Sequence, residues 1–208
     1  MIDEANNVPG AGGNRRALVH AAYARIAADG FEGLRTREVA ADAGVNIGTL
    51  HYYFPSKEAL IHAAVRHTTT RFATTLSKQG SPAEQLRAHL EGLRHLLKTD
   101  MELWAVLNET TLRAARDASL AEIMRQADEQ WFGYVRGLVA RGVEEGGLDR
   151  RLDPENAAAM ITVAIKGLSM STLGPTPHVR IDQTIDQLEQ WLGFDAAMDQ
   201  VRRPASCT

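Results

Sequence analysis

The chain has 208 residues, of which 44% are hydrophobic and 24% are charged, and its formal net charge at pH 7 is −3. These proportions are typical of an ordinary globular protein with room for a small and a medium domain, and they exclude a strongly basic molecule. No apolar run approaches the length of a membrane span, and the single cysteine, Cys207, excludes an internal disulfide, which suits a reducing cytoplasm.

We predict an all-α fold of about nine helices, because the alternating apolar pattern of strands is absent and short breaks fall at Gly, Pro and Asn. Leu18, Ala22 and Ile26 lie on one face of the first helix, and Gly30 is expected to end it in the left-handed conformation that glycine tolerates. The predicted helices cover about residues 14–29, 36–43, 47–53, 57–77, 82–99, 101–116, 119–145, 153–173 and 182–193.

The second and third predicted helices have the features of a helix-turn-helix. Gly44 fits the tight turn between them because it has no Cβ, and Asn46 is a favourable N-cap for the third helix. The first turn of that helix is expected to project outward, as a recognition helix does where it meets base edges. The apolar contacts between the two helices are assigned to Val39, Val45 and Leu50.

The same segment resembles the tetracycline-repressor (TetR) family of bacterial regulators, and the resemblance rests on the joint spacing of several short motifs. It covers about residues 15–60 and continues more weakly to residue 173 through the order and size of the helices. Helix-turn-helix look-alikes also occur in enzymes, and the block from Leu50 to Leu60 favours the DNA-binding alternative. The matching motifs are Gly30-Phe31, Val39-Ala40, Ala43-Gly44-Val45, Gly48-Thr49-Leu50 and Tyr53-Phe54-Pro55-Ser56-Lys57-Glu58-Ala59-Leu60.

The resemblance implies DNA contacts at three places. Thr36 and Arg37, at the start of the second helix, match positions that contact phosphate and bases, and Lys57 matches a phosphate clamp at the start of the fourth helix. Tyr52 is expected to pack inward. The recognition-helix contacts implied by the resemblance are Ile47, Gly48, Thr49, His51 and Tyr53.

Three positions depart from the family pattern. His51 stands where members commonly have Tyr, so contacts there differ. Arg35 replaces a Ser or Thr N-cap, which puts the capping of the second helix in doubt. Ile47 is apolar where a polar residue is frequent, and contact with a thymine methyl group is one use for it.

The last two helices are expected to form a dimer interface. The helix at 153–173 is apolar almost all round, which indicates burial on more than one side. In the resembled family these two helices pair with their twofold mates as a four-helix bundle; the alternative is that they are core helices of a monomer. The residues predicted for the interface are Ala164, Gly167, Ser171, Ile185, Leu188 and Leu192.

The middle helices are expected to enclose a site for a largely apolar small molecule, because aromatic and methionine side chains stand there with a few polar groups. Plain core packing is the alternative for each of these side chains. The residues predicted to line the site are Trp104, Leu107, Asn108, Thr111, Met124, Trp131, Tyr134 and Ile165.

No catalytic, cofactor or metal site is predicted. Glu91 and His95 stand four residues apart and could share a metal ion, but no second pair completes such a site. Ser, His and acidic residues do not occur in a recognisable nucleophile context, and no glycine-rich phosphate loop is present.

The sequence therefore predicts a cytoplasmic, ligand-responsive repressor that binds a palindromic operator in double-stranded DNA as a homodimer and is released by a small effector. A DNA-binding domain is expected at 14–57 and a ligand-binding and dimerisation domain at 58–200, with disordered tails at 1–13 and 202–208. The alternatives are a helical enzyme or small-molecule carrier, and a DNA-binding architectural protein without a sensor.

Overall fold

A computed structural model of the chain describes residues 11–171 and 177–194, and within these stretches every regular element is a helix. The predicted all-α fold is confirmed. The nine helices of the described residues are α1 Ala11–Gly33, α2 Thr36–Asp42, α3 Ile47–Tyr53, α4 Lys57–Ala73, α5 Pro82–Thr99, α6 Met101–Ala114, α7 Ala118–Glu144, α8 Pro154–Ser171 and α9 Pro177–Leu192.

Helices α1 to α4 enclose an N-terminal core. Leu18, Ile26, Val39, Leu50 and Leu60 come from all four helices, and each is at most 1% exposed. Residues of the later helices complete this core, so it is not closed by the first four helices alone. Those residues are Val106 of α6 and Leu120 and Ile123 of α7.

Helices α5 to α9 enclose a second, larger core. The α5 face is a stripe of leucines at helical spacing, and α7, α8 and α9 pack around it. Helix α5 begins with a capping box, in which Ser81 Oγ accepts from Glu84 N and the Glu84 carboxylate accepts from Ser81 N. Helix α4 contributes to both cores, with Leu60 and Ile61 in the first and Phe72 against the second.

Several helix ends differ from the prediction. Helix α4 ends at Ala73 rather than near residue 77, because the amides of Thr74, Thr75 and Leu76 turn back to carbonyls three residues earlier. Helix α9 begins at Pro177, five residues before the predicted start; proline is favoured at a first helical position, although the prediction treated it as a breaker.

The ends of the chain agree only in part. Residues 11–13 belong to α1, so the prediction of a disordered tail is wrong for them. Residues 1–10, 172–176 and 195–208 lie outside the described residues, and with them the predicted C-terminal tail and the predicted last two residues of α8. Gly30 leaves the helical conformation at φ 67°, as predicted, and the chain kinks there before α2.

Candidate nucleic-acid interface and effector domain

The turn between α2 and α3 has the predicted glycine conformation. Gly44 has φ 67°, and Val45 N donates to Ala40 O at 2.9 Å, which closes the turn. Val39 and Leu50 are fully buried on either side of it. The two helices therefore form a rigid helix-turn-helix rather than two independent segments.

Helix α3 presents its first turn to solvent. Asn46 Oδ1 accepts hydrogen bonds from Thr49 N at 2.8 Å and from Thr49 Oγ1 at 3.2 Å. The first of these bonds gives a partner to a backbone N–H that has none within the first turn of the helix. A Cβ on Gly48 would lie 3.1 Å from Asn46 Oδ1, so glycine leaves this cap room. Ile47, Gly48 and His51 are exposed and Thr49 is half-buried, so the first turn offers an open surface of small and apolar groups.

The two tyrosines at the end of α3 differ in burial, and one of them does not have the predicted orientation. Tyr52 is 82% exposed, so the expectation that it packs inward is wrong. Tyr53 is half-buried against the N-terminal core, and the two rings meet edge to face at 5.0 Å. The reason is helical spacing: Tyr53 follows the buried Leu50 by three residues, whereas a side chain two residues after Leu50 points to the far side of the helix.

The starts of α2 and α4 lie beside this surface. Arg37 is exposed and Thr36 half-buried at the start of α2. Arg35 gives α2 no side-chain cap, as its place in the motif suggested; its guanidinium instead donates to Glu32 O at 2.5 Å. Lys57 is the first residue of α4, and its helix is capped by Ser56 Oγ, which accepts from Ala59 N at 3.1 Å.

An ion-pair cluster fixes α2 on α1 and neutralises acids near this surface. Arg25 Nε lies 2.6 Å from Asp42 Oδ2 and Nη1 lies 2.9 Å from Glu38 Oε2. The hydrogen bond from Arg25 holds the pKa of the Asp42 carboxyl below its usual range. Arg25 therefore offsets negative charge that would otherwise repel phosphate.

The predicted effector residues do not all gather in one place. Trp104 and Ile165 are buried and Thr111 is exposed, with its hydroxyl bonded to Leu107 O of its own helix. Asn108, together with Trp104, lines a groove of about 550 Å³ between α1 and α6. The remaining predicted residues are half-buried, and these are Leu107, Met124, Trp131 and Tyr134.

Three of the predicted aromatic residues belong to one cluster, and sequence reasoning missed the two residues that join them. Phe72 lies 5.7 Å from Trp104 and 6.4 Å from Trp131, ring centre to ring centre. His89 lies 5.6 Å from Tyr134 and accepts a hydrogen bond from Trp131. The signal for His89 was its register: it follows Leu86 by three residues and so lies within the leucine stripe of α5.

The predicted interface residues of α9 are already covered within a single chain. Ile185 and Leu192 are fully buried and Leu188 is 7% exposed, because the stripe of α9 packs onto α5 in the second core. These three residues cannot form a surface for a second chain, and the prediction is wrong for them. On α8, Ala164 is half-buried and Gly167 exposed, and the side chain of Ser171 lies outside the described residues.

The outer face of the last two helices nevertheless carries large exposed apolar side chains. Ten large hydrophobic side chains of the described residues are exposed, and half of them lie on α8 and α9. The five are Met160, Val163, Met170, Val179 and Trp191.

In the described part of the chain, no group of three or more His, Cys, Asp or Glu residues is placed to hold a metal ion. Among the same residues, no helix is long and apolar enough to cross a membrane.

A capped helix-turn-helix that is joined through α4 to a larger helical domain is typical of one-component DNA-binding regulators. In this class of protein the DNA-binding domain and the sensor domain belong to the same polypeptide. Two family models match: one described as bacterial regulatory proteins of the TetR family, over residues 18–64, and one described as the C-terminal domain of BetI-type transcriptional repressors, over residues 82–193. The second match alone spans more than half of the chain, so the chain belongs to the TetR family of transcriptional regulators, as the sequence motifs predicted. This is a family of regulators rather than of enzymes.

Individual relatives agree with this assignment. The chain is 24% identical to the fatty acid metabolism regulator protein of Bacillus subtilis strain 168 over an alignment of 151 residues, and the match covers 69% of this chain and 75% of that protein. Its fold matches a TetR transcription regulator from Haloarcula marismortui with a TM-score of 0.78 at 19% identity, covering 89% of this chain and 98% of that one. It also matches AibR, solved in complex with isovaleryl coenzyme A and operator DNA, with a TM-score of 0.63 at 18% identity over 87% and 98% of the two chains.

Proposed function

We propose that the ligand-free homodimer of this chain binds a palindromic operator and represses transcription, and that a small, largely apolar effector releases it. The observation that carries the proposal is the exposed first turn of α3, which is capped by Asn46 and held by a buried Leu50. DNA contacts are assigned to Thr36, Arg37, Gly48, Thr49, His51, Tyr53 and Lys57, with Ile47 as a contact to a thymine methyl group. Tyr52 joins this set because its ring is exposed beside His51.

A dimer is supported by the outer face of α8 and α9. Exposed apolar side chains that cluster on one surface are typical of an interface with another protein. One recognition helix reads too few base pairs for a specific site, whereas two that are separated by about 34 Å, one helical turn, read both halves of a palindrome.

The aromatic cluster between α4, α5, α6 and α7 supports an apolar effector. The rings of Trp131 and Tyr134 contact the buried imidazole of His89, and Phe72 packs against Trp104 and Trp131. A cluster of this kind suits a ligand with an apolar body and few polar groups. AibR was solved with an acyl coenzyme A, which is an example of a related fold that holds a small molecule and operator DNA. We assign DNA binding to residues 14–57 and ligand binding and dimerisation to residues 58–200, with side chains of α4, α6 and α7 completing the N-terminal core.

We place the protein in the cytoplasm, where its operator is, and assign it no catalytic role. A helical enzyme or carrier would not bind DNA in a salt-dependent, sequence-selective manner. An architectural protein would bind DNA but would not be released by any small molecule.

The test is binding to DNA from upstream of the protein's own gene, followed by footprinting at several salt concentrations. We expect a protected palindrome and an affinity that falls steeply with salt. Arg37→Ala and Lys57→Ala should each weaken binding to all sequences and reduce the salt slope by about one. Ile47→Lys should change the preferred sequence.

Arg150→Ala is the matched control, because this exposed arginine follows α7 in the C-terminal half of the chain. It should bind as the unmodified protein does. Intact binding by all three interface variants would contradict the contact assignments, and the absence of any selective binding would contradict the function.

A further inference from the structure

A chain of hydrogen bonds joins three helices inside the C-terminal half, and we call it the His89 relay. Trp131 Nε1, on α7, donates to His89 Nε2, on α5, at 2.9 Å. His89 Nδ1 lies 2.8 Å from Thr75 Oγ1, and Thr75 Oγ1 donates to Phe72 O at 2.7 Å. His89 is fully buried and Thr75 is 8% exposed, so the relay has little access to water.

The chemistry of the groups fixes the direction of every bond. An indole N–H can only donate, so His89 Nε2 must accept and its proton is on Nδ1. Nδ1 then donates to the Thr75 hydroxyl, which is left to donate its own proton to Phe72 O. Burial lowers the pKa of His89 to about 4, which keeps the ring neutral at pH 7 and preserves this order. Each polar atom of the relay is satisfied, so the loss of one bond would leave a buried group unpaired.

The relay ends at the last turn of α4. Phe72 belongs to this turn, and Thr75 N also donates to Phe72 O, at 3.0 Å. The relay therefore fixes where α4 stops and how its end is held against α5. The other end of α4 is Lys57, and at about 1.5 Å per residue the 17 residues of the helix span about 25 Å.

Gly92 allows the close approach that the relay requires. A Cβ at this position of α5 would lie 2.8 Å from Thr75 Cβ and 3.2 Å from Thr75 Cα. Any larger residue would push the end of α4 away from α5. Helix α5 thus carries both the imidazole that binds Thr75 and, one turn later, the gap that receives it.

We propose that the His89 relay, together with the gap at Gly92, holds α4 in the position that operator binding requires. The inference rests on the proposed function and specifies which contacts hold α4. His89 and Thr75 are positioning residues, since they act on DNA only through α4.

The experiment compares Thr75→Val with Thr75→Ser in the full chain, using the operator duplex footprinted upstream of its own gene. Valine keeps the shape of threonine and loses the hydroxyl, whereas serine keeps the hydroxyl. We expect Thr75→Val to bind the operator roughly three- to tenfold more weakly without any effector, and Thr75→Ser to stay within about twofold of the unmodified protein. Gly92→Ala should weaken binding in the same direction, although alanine is the better helix former.

Val139→Ala separates the relay from general destabilisation. Val139 is fully buried in the second core on α7 but makes no relay contact. It should lower the denaturant midpoint and leave operator affinity within about twofold of the unmodified protein. Equal losses of affinity in Val139→Ala and Thr75→Val, or equal affinity in Thr75→Val and Thr75→Ser, would overturn the proposal.

Amide hydrogen exchange gives a readout that needs no DNA. Thr75→Val should speed exchange at residues 72–76 and along α4, and Thr75→Ser should not. Unchanged exchange in Thr75→Val would overturn the relay even if the protein binds its operator. A protein that binds no operator, but whose α4 responds as expected, would instead contradict the proposed function and leave the structural role of the relay standing.

Discussion

The buried imidazole of His89 makes the stability of the fold depend on pH. Burial lowers its pKa from the ordinary 6.5 to about 4, so between these values the unfolded chain binds a proton that the folded chain does not. The free energy of unfolding therefore rises with pH in this window. The contribution of His89 to that free energy is lost as the pH falls from 6.5 towards 4.

We expect the unmodified protein to lose about 2 kcal/mol more stability between pH 7 and pH 5 than His89→Phe does. Urea unfolding at the two pH values measures both differences. His51→Phe removes an exposed histidine without touching either core, and it should follow the unmodified protein. Identical pH dependence in His89→Phe and the unmodified protein would contradict the prediction.

At single positions, residues agree with the motif-based prediction where the backbone conformation dictates the residue type. Gly44 needs a positive φ and Asn46 a cap, and both have the predicted geometry. The expectation for Tyr52 was wrong, because residue type does not distinguish two adjacent tyrosines. Their helical register relative to Leu50 decides which one is buried. His89 was missed because its role depends on Trp131, which is 42 residues away along the chain.

Helix α3 is too short to be stable by itself, since an isolated helix of seven residues does not form in water. Its stability comes from Leu50 in the core and from the cap at Asn46. Asn46→Ala removes the oxygen that accepts from Thr49 N and should cost about 1 kcal/mol of unfolding free energy.

Asn46→Ser is the control, because serine is an equally good cap and adds no charge near DNA. Chemical denaturation of the two variants measures the difference. Equal destabilisation by alanine and serine would indicate that the cap does not contribute.

The predicted bounds of helices were most accurate where a local signal sets them. Helices α3 and α5 begin at side-chain caps, Asn46 and Ser81, and both agree with the prediction at each end. The end of α4 is set instead by Thr75 and its contact with α5, which no local pattern encodes. The same limit applies to the stripe of α9: its apolar spacing was evident, but whether it faces α5 or a second chain depends on tertiary packing.

For the whole molecule, the outer face of α8 and α9 predicts the oligomeric state. Val163 is 66% exposed on α8, so Val163→Glu should leave the fold intact and introduce a charge into the proposed interface. An unpaired buried charge is costly, and we expect this variant to be a monomer at micromolar concentration, measured by light scattering.

Leu112→Glu is the matched control, because Leu112 is 72% exposed on α6, outside the proposed interface. It should have the mass of the unmodified dimer. A dimeric Val163→Glu, or a monomeric unmodified protein, would contradict the assignment of this surface.

The N-terminal core is completed by side chains that come from the other half of the chain. Val106 of α6 and Leu120 and Ile123 of α7 pack among the residues of α1 to α4, beyond the predicted boundary at 57. The DNA-binding domain is therefore not a module that can be exchanged freely between related regulators. A chimera that joins this DNA-binding domain to the sensor domain of another regulator must keep α4 and supply matching apolar residues at 106, 120 and 123. Without these residues the N-terminal core is incomplete, and we expect the chimera to be unstable.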